Sequence, residues 1–185
     1  MAWFQTPQAI VTGGCFWTLE AVFERMQGIR CVRPVHLWMG AGLPPRESLI
    51  RRPEERMEGV RLAWDPTRAN AANILEVLLT VTSPNLAGWE TLSEMSAARS
   101  ALFLSRTRDA SDAESALASL AGPPSAGPSA RTQIVVGLPF HRPAPAFDRG
   151  YYRQKPDDGF CRTVIGPKLA RLRALFPNDF PLESV

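Results

Sequence analysis

The sequence predicts an α+β fold, a mixed and mostly antiparallel sheet covered by two or three helices. Three observations predict it. Short runs that alternate apolar and polar residues, as half-buried strands do, are interleaved with runs of helical period. Gly-, Pro- and Asp-rich turns separate them. No internal repeat and no long linker divides the 185 residues, so one domain over residues 1–185 is expected, large enough for a real core.

Taken in order, Met1 to Gln8 is a short lead-in, and Ala9, Ile10 and Val11 form an apolar strand end. Gly13 and Gly14 permit a tight turn. Cys15, Leu19, Val22 and Phe23 then follow helical spacing, which places Cys15 in the first turn of a helix that runs to Gln27 and stops at Gly28. Ile29 to Val35 reads as a strand ending at Pro34, and 38–53 as a Gly-, Pro- and Arg-rich loop. Gly59 to Trp64 alternates again and closes at Asp65-Pro66. Thr67 to Thr82 is a helix with Ile74, Leu75, Val77, Leu78 and Val81 on its apolar face, ended by Ser83-Pro84.

Residues 85–97 read as a polar loop, Ala101 to Leu104 as a short strand, and Asp109 to Leu120 as a helix. A Gly/Pro/Ser turn at 122–128 leads to a strand over Thr132 to Leu138. Pro139 to Phe160 is low in regular structure, and a helix from Pro167 to Phe176 ends the fold.

Composition excludes some classes of function. The net charge of +3 is spread out, with no run of five like charges, so nucleic acid is not an expected partner. No apolar run reaches membrane-spanning length, and no basic region followed by an apolar core marks a signal peptide. Three cysteines, an odd number, fit a reducing compartment, hence a cytoplasmic location, better than a secreted disulfide framework. A monomer is expected.

Cys15 carries the most chemical information. A thiol where a helix begins lies beside unpaired N–H groups and the positive end of the helix dipole, and both favour the reactive thiolate. Phe16 and Trp17 follow at once and would wall an apolar pocket. The alternative is a small buried cysteine with core aromatics, a common use of the residue.

Gly13-Gly14-Cys15-Phe16-Trp17, with Glu20, Ala21, Val22 and Phe23 behind it, resembles the signature of the peptide methionine sulfoxide reductase A family. The resemblance extends more weakly to Lys168 and beyond. It implies a ferredoxin-like core with added strands and a long C-terminal coil. It also implies Cys15 as nucleophile, with no bound cofactor or metal and an external dithiol such as thioredoxin as reductant. Counting back from Asp65-Pro66 places Glu58 on the family's glutamate, the proton donor, which needs a raised pKa from partial burial. Arg56 and Met57 replace the histidine and alanine beside it. A second thiol would clear the sulfenic acid left on Cys15. Cys161, in a polar turn able to swing towards the site, and Cys31, on a strand, are both candidates.

Several positions depart from the family pattern. Val35 and His36 stand where a glycine and a tyrosine are usual, and His36 is a candidate replacement donor. Ala98 and Ser93 replace a second tyrosine and an aspartate before Arg99-Ser100. Phe147-Asp148-Arg149 stand in the place of a C-terminal triplet, and Tyr151 matches the tyrosine after it. Two main readings follow. One is a thiol-dependent reductase of methionine-S-sulfoxide, free or in proteins, with Phe16, Trp17 and His36 around the substrate. The other is a divergent homologue that binds thioether or protein ligands with weak or no turnover. A peroxide-sensing cysteine is a third.

Overall fold

A computed structural model describes residues 6–38, 56–82, 100–120 and 132–181. The predicted loops over 39–53 and 85–97 and the turn at 122–128 lie outside the described residues, as do Ser93, Ala98 and Arg99. The strands are β1 (Gln8–Thr12), β2 (Ile29–Trp38), β3 (Arg56–Trp64), β4 (Ala101–Leu104), β5 (Gln133–Val136) and β6 (Phe140–Pro143). The helices are α1 (Phe16–Phe23), α2 (Ala71–Thr82), α3 (Thr107–Leu120), α4 (Tyr151–Gln154) and α5 (Gly166–Leu175).

The sheet runs β5-β4-β1-β3-β2-β6. Its inner order, β4-β1-β3-β2, is that of a ferredoxin-like core, with β5 and β6 added at the edges. Only the added β5 pairs in parallel, with β4, while the other pairings are antiparallel. Every residue of β1 after Gln8 is buried, as befits a strand in the interior of the sheet.

The strand period sends alternate residues to two faces. One face, with Val11, Val60, Leu62 and Leu102, joins the helices in the main core around Leu19, Phe23, Ile74 and Leu78. The other face carries a smaller cluster of Ile10, Val35, Leu37, Ala101 and Phe103. Helix α1 is buried nearly all round, and α2 buries one stripe. Asn70 starts α2: its side-chain oxygen accepts the Asn73 N–H at 2.9 Å, satisfying a donor of the first turn.

Several predicted boundaries move. The first helix ends at Phe23, a turn earlier than Gln27. Strand β2 passes through Pro34 to Trp38. Pro34 sits where pairing with β6 ends, its carbonyl accepting the Ala144 N–H at 2.9 Å, and a missing donor is tolerated at such a margin. The stretch 139–160, expected to be irregular, contains β6, a 3₁₀ turn at Ala146–Asp148 and α4. Cys161 lies in a π-helical segment, Cys161–Ile165, that runs directly into α5. The C-terminal region is therefore more helical than the predicted long coil.

Candidate active site

Strand β1 delivers the chain to Gly13, whose φ of +122° suits glycine. A Cβ at Gly13 would stand 2.8 Å from Ser100 Oγ and 2.9 Å from Ser100 Cβ, so the turn packs directly on the residue before β4. Cys15 follows in extended conformation, φ −64° and ψ 127°, and is the N-cap of α1 rather than a member of its first turn. Its carbonyl accepts the Thr18 and Leu19 N–H groups at 3.0 and 3.2 Å.

Strand β3 brings Glu58 to the same place. The Phe16 N–H donates to Glu58 Oε2 at 3.2 Å, which sets the carboxylate against the first turn of α1. Glu58 lies inside β3, not before it, and is exposed, so the burial expected of it is absent. Strand register puts His36 directly opposite Glu58. The buried His36 ring stacks on Phe16, centroids 5.5 Å apart and planes 24° apart. Trp17 stacks flat on Tyr151 at 4.0 Å and meets the edge of Phe160 at 6.2 Å. The buried Trp17 Nε1 has no hydrogen-bond partner among the described residues. Cys15, Phe16, Trp17, His36 and Glu58 thus converge at one end of the sheet.

The charge state of Cys15 departs from expectation. Its thiol is pushed up to about 11, first by burial and next by the Glu58 carboxylate. The backbone N–H groups of Trp17 and Thr18 favour the thiolate, as the helix start predicts, and Lys168 adds to them. Burial outweighs these terms, because the few donors of one helix end do not replace the water a sulfur anion loses. At neutral pH Cys15 is a thiol beside a carboxyl group, not a standing thiolate.

Cys161 is buried, 1% exposed, and not in a mobile polar turn. Burial and then the Asp158 carboxylate push its thiol up. The Tyr151 hydroxyl feels both sulfurs, so Cys15 and Cys161 both lie near that residue. Cys31 pairs with Ala63 at a bulge near the start of β2. Five residues of strand separate it from His36, about 17 Å at the usual rise.

Sequence reasoning missed two side chains. Lys168, from the first turn of α5, donates to the Val81 carbonyl at 2.7 Å and is held below the usual lysine range by burial. Its charge reaches Cys15, and no spacing in the sequence ties the two. Glu20 is 3% exposed although charged by type, on the helix that Cys15 caps. Its position three residues after Trp17 was the available signal, since that spacing shares a helix face.

Among the described residues, no group of three His, Cys, Asp or Glu side chains gathers closely enough to hold a metal ion. None of the described helices is long and apolar enough to cross a membrane. A separate cavity of about 300 Å³ lies on the other face of the sheet, lined by Trp38, Phe103, Val135 and the loop that leads to Phe140, and does not include Cys15.

Fold and site define a cysteine-centred α+β protein with a ferredoxin-like core. Residues 7–179 match the family described as peptide methionine sulfoxide reductase, and the chain belongs to that family. It is 28% identical over 171 residues to the peptide methionine sulfoxide reductase MsrA of Polynucleobacter asymbioticus, covering 92% of this chain and 90% of that one. It is 29% identical over 174 residues to the MsrA of Thermus thermophilus, with 93% and 97% covered. The crystal structure of Mxr1 from Saccharomyces cerevisiae in reduced form shares the fold at a TM-score of 0.59 and 13% identity, over 86% of this chain and 91% of that chain.

Proposed function

We propose that the protein reduces methionine-S-sulfoxide, free or within proteins, with Cys15 as nucleophile and a dithiol of the thioredoxin type as final reductant. The observation that carries this reading is the Glu58 carboxylate held against the helix start that Cys15 caps, at 3.2 Å from the Phe16 N–H. Phe16, Trp17 and His36 form the wall that receives the apolar end of the substrate.

A protonated thiol beside a carboxyl group suits the chemistry, because the carboxyl can take and return the one proton the reaction moves. Glu58 takes the Cys15 proton as the sulfur attacks and gives it to the sulfoxide oxygen. The sulfur–oxygen bond of the substrate breaks, the oxygen passes to Cys15 as a sulfenic acid, and the thioether leaves. The Cys161 thiol then attacks the Cys15 sulfur. A disulfide forms and the hydroxyl departs as water with the Cys161 proton. An external dithiol, itself oxidised to a disulfide, restores both thiols. Cys31 is the less favoured resolving group, given its place at the far end of β2. The reducing cytoplasm is the compartment such a cycle needs, and a monomer suffices for it.

The test is turnover of both epimers of a methionine sulfoxide substrate with dithiothreitol. Loss of the S epimer that disappears in Cys15→Ser is the expected result. A second reading, a homologue that binds thioethers with little turnover, is favoured by one observation, the elevated Cys15 thiol. Binding without loss of either epimer would establish it.

A further inference from the structure

One side of α1 and the two residues that follow it are docked along α4, the four-residue helix that carries Tyr151. Trp17 stacks on Tyr151 at 4.0 Å. Glu20 Oε2 accepts the Gly150 N–H at 2.7 Å. Glu24 pairs with Arg153, and the Arg25 guanidinium lies 4.8 Å above the Tyr152 ring. A helix this short does not hold itself, since nucleation costs more than one turn of hydrogen bonds returns. Nor does α4 have a side-chain cap of its own. Its start depends on Gly150 in the left-handed region, φ +67°, and on the carboxylate reaching it from α1. The Tyr151 N–H faces the same carboxylate.

Burying a carboxylate is unfavourable unless its partners are strong, and an apolar residue at position 20 would fill the core at less cost. What the carboxylate supplies and an apolar residue does not is a charge-assisted bond to the backbone from which the Tyr151 ring departs.

We infer that Glu20 is a positioning residue for the substrate pocket: by gripping the Gly150 N–H it fixes the Tyr151 ring against Trp17, and so sets the shape of the aromatic wall beside Cys15. This rests on the reductase reading for its substrate and on the 2.7 Å contact for its mechanism. The Glu20 carboxylate bonds the Gly150 backbone rather than a reacting atom, so its effect falls on substrate affinity.

The test compares Glu20→Ala, Glu20→Gln, Tyr151→Ala and the Glu20→Ala/Tyr151→Ala pair in the full chain. Methionine-S-sulfoxide is the substrate and dithiothreitol the reductant. Glu20→Ala is expected to raise KM about fivefold, the worth of one well-set aromatic contact, with kcat changed less than about twofold. Glu20→Gln, which keeps one acceptor oxygen, raises KM about twofold and serves also if the alanine variant does not fold. The double variant has the KM of Tyr151→Ala alone, because Glu20 acts through that ring. A separate readout is amide hydrogen exchange at Gly150 and Tyr151, which speeds up in both Glu20 variants while Cys15 alkylation by iodoacetamide keeps its rate. Unchanged KM, additive effects in the double variant, or unchanged exchange at Gly150 would each overturn the inference. Should the native chain reduce no sulfoxide, the reductase reading and the pocket role fall together, and exchange at Gly150 still decides whether Glu20 holds α4.

Discussion

The Glu58 carboxylate and the Cys15 thiol are set against each other across the start of α1. One hydrogen bond, from the Phe16 N–H to Glu58 Oε2 at 3.2 Å, ties the strand to the helix. After burial, that carboxylate is the largest influence holding the thiol up at about 11. The thiol therefore keeps its proton at rest.

Replacing the carboxylate separates reactivity from catalysis. Glu58→Gln removes the negative charge beside the sulfur, so the thiol pKa falls and alkylation of Cys15 at pH 8 speeds up. Sulfoxide turnover falls in the same variant by about 100-fold or more, the usual worth of a general acid–base group. Iodoacetamide kinetics and steady-state turnover on one preparation check both signs.

The raised thiol also predicts how stability responds to alkali. The folded protein holds the Cys15 proton more tightly than the unfolded chain does, from an ordinary value of 9.0 to about 11. That contribution is complete below pH 9 and is lost as the pH rises through 11. It amounts to about 3 kcal/mol, two pKa steps. Urea denaturation of the native chain and Cys15→Ser between pH 8 and 11 should give curves whose difference shrinks over that window.

Cys161, the proposed resolving thiol, is buried in the π-helical segment before α5. Single-turn π insertions are common at functional sites. Cys161→Ser should still reduce one equivalent of sulfoxide per chain and then stop when thioredoxin is the reductant. Quenched-flow measurement of the first turnover beside steady-state cycling distinguishes the two phases, and unimpaired cycling would remove Cys161 from the mechanism.

Gly13, in the turn before Cys15, has no room for a side chain. Gly13→Ala puts a methyl 2.8 Å from Ser100 Oγ at a φ of +122°, combining a clash with a conformation that alanine resists. A destabilisation of about 2–3 kcal/mol is expected. Calorimetry should show Tm lowered by about 5–10 °C.

His36 contributes a ring face to the pocket, stacked on Phe16 at 5.5 Å. His36→Phe should keep KM within about twofold, while His36→Ala raises it about three- to tenfold, the range of one aromatic contact. A loss of kcat in His36→Phe at constant KM would instead assign the imidazole a proton.

Much of the architecture was legible along the chain. The alternation in Gly59 to Trp64 and the helical period of Ile74 to Val81 each report burial on one face, and the all-apolar run Ala101 to Leu104 reports burial on both, which are local properties. The Gly-Gly-Cys-Phe-Trp string brought Cys15 forward, and the family resemblance, counted back from Asp65-Pro66, brought Glu58 forward as its partner. Extents were harder to read. Strand β2 runs on past Pro34 because β3 pairs along its length and β6 begins beside it, and β6 exists because Phe140 to Pro143 finds that edge. Edge pairing between distant segments leaves no period in either one.

The sequence alone determined the α+β class and the cysteine at a helix start, since these follow from periodicity and turn chemistry, while Glu58 came forward only through the resemblance to the reductase family. Tertiary structure alone decided that the thiol is protonated, that Cys161 is enclosed, and that Glu20 grips Gly150. Those depend on how much water the folded chain removes from each group and on which distant backbone donors replace it, and neither is written in the neighbouring residues.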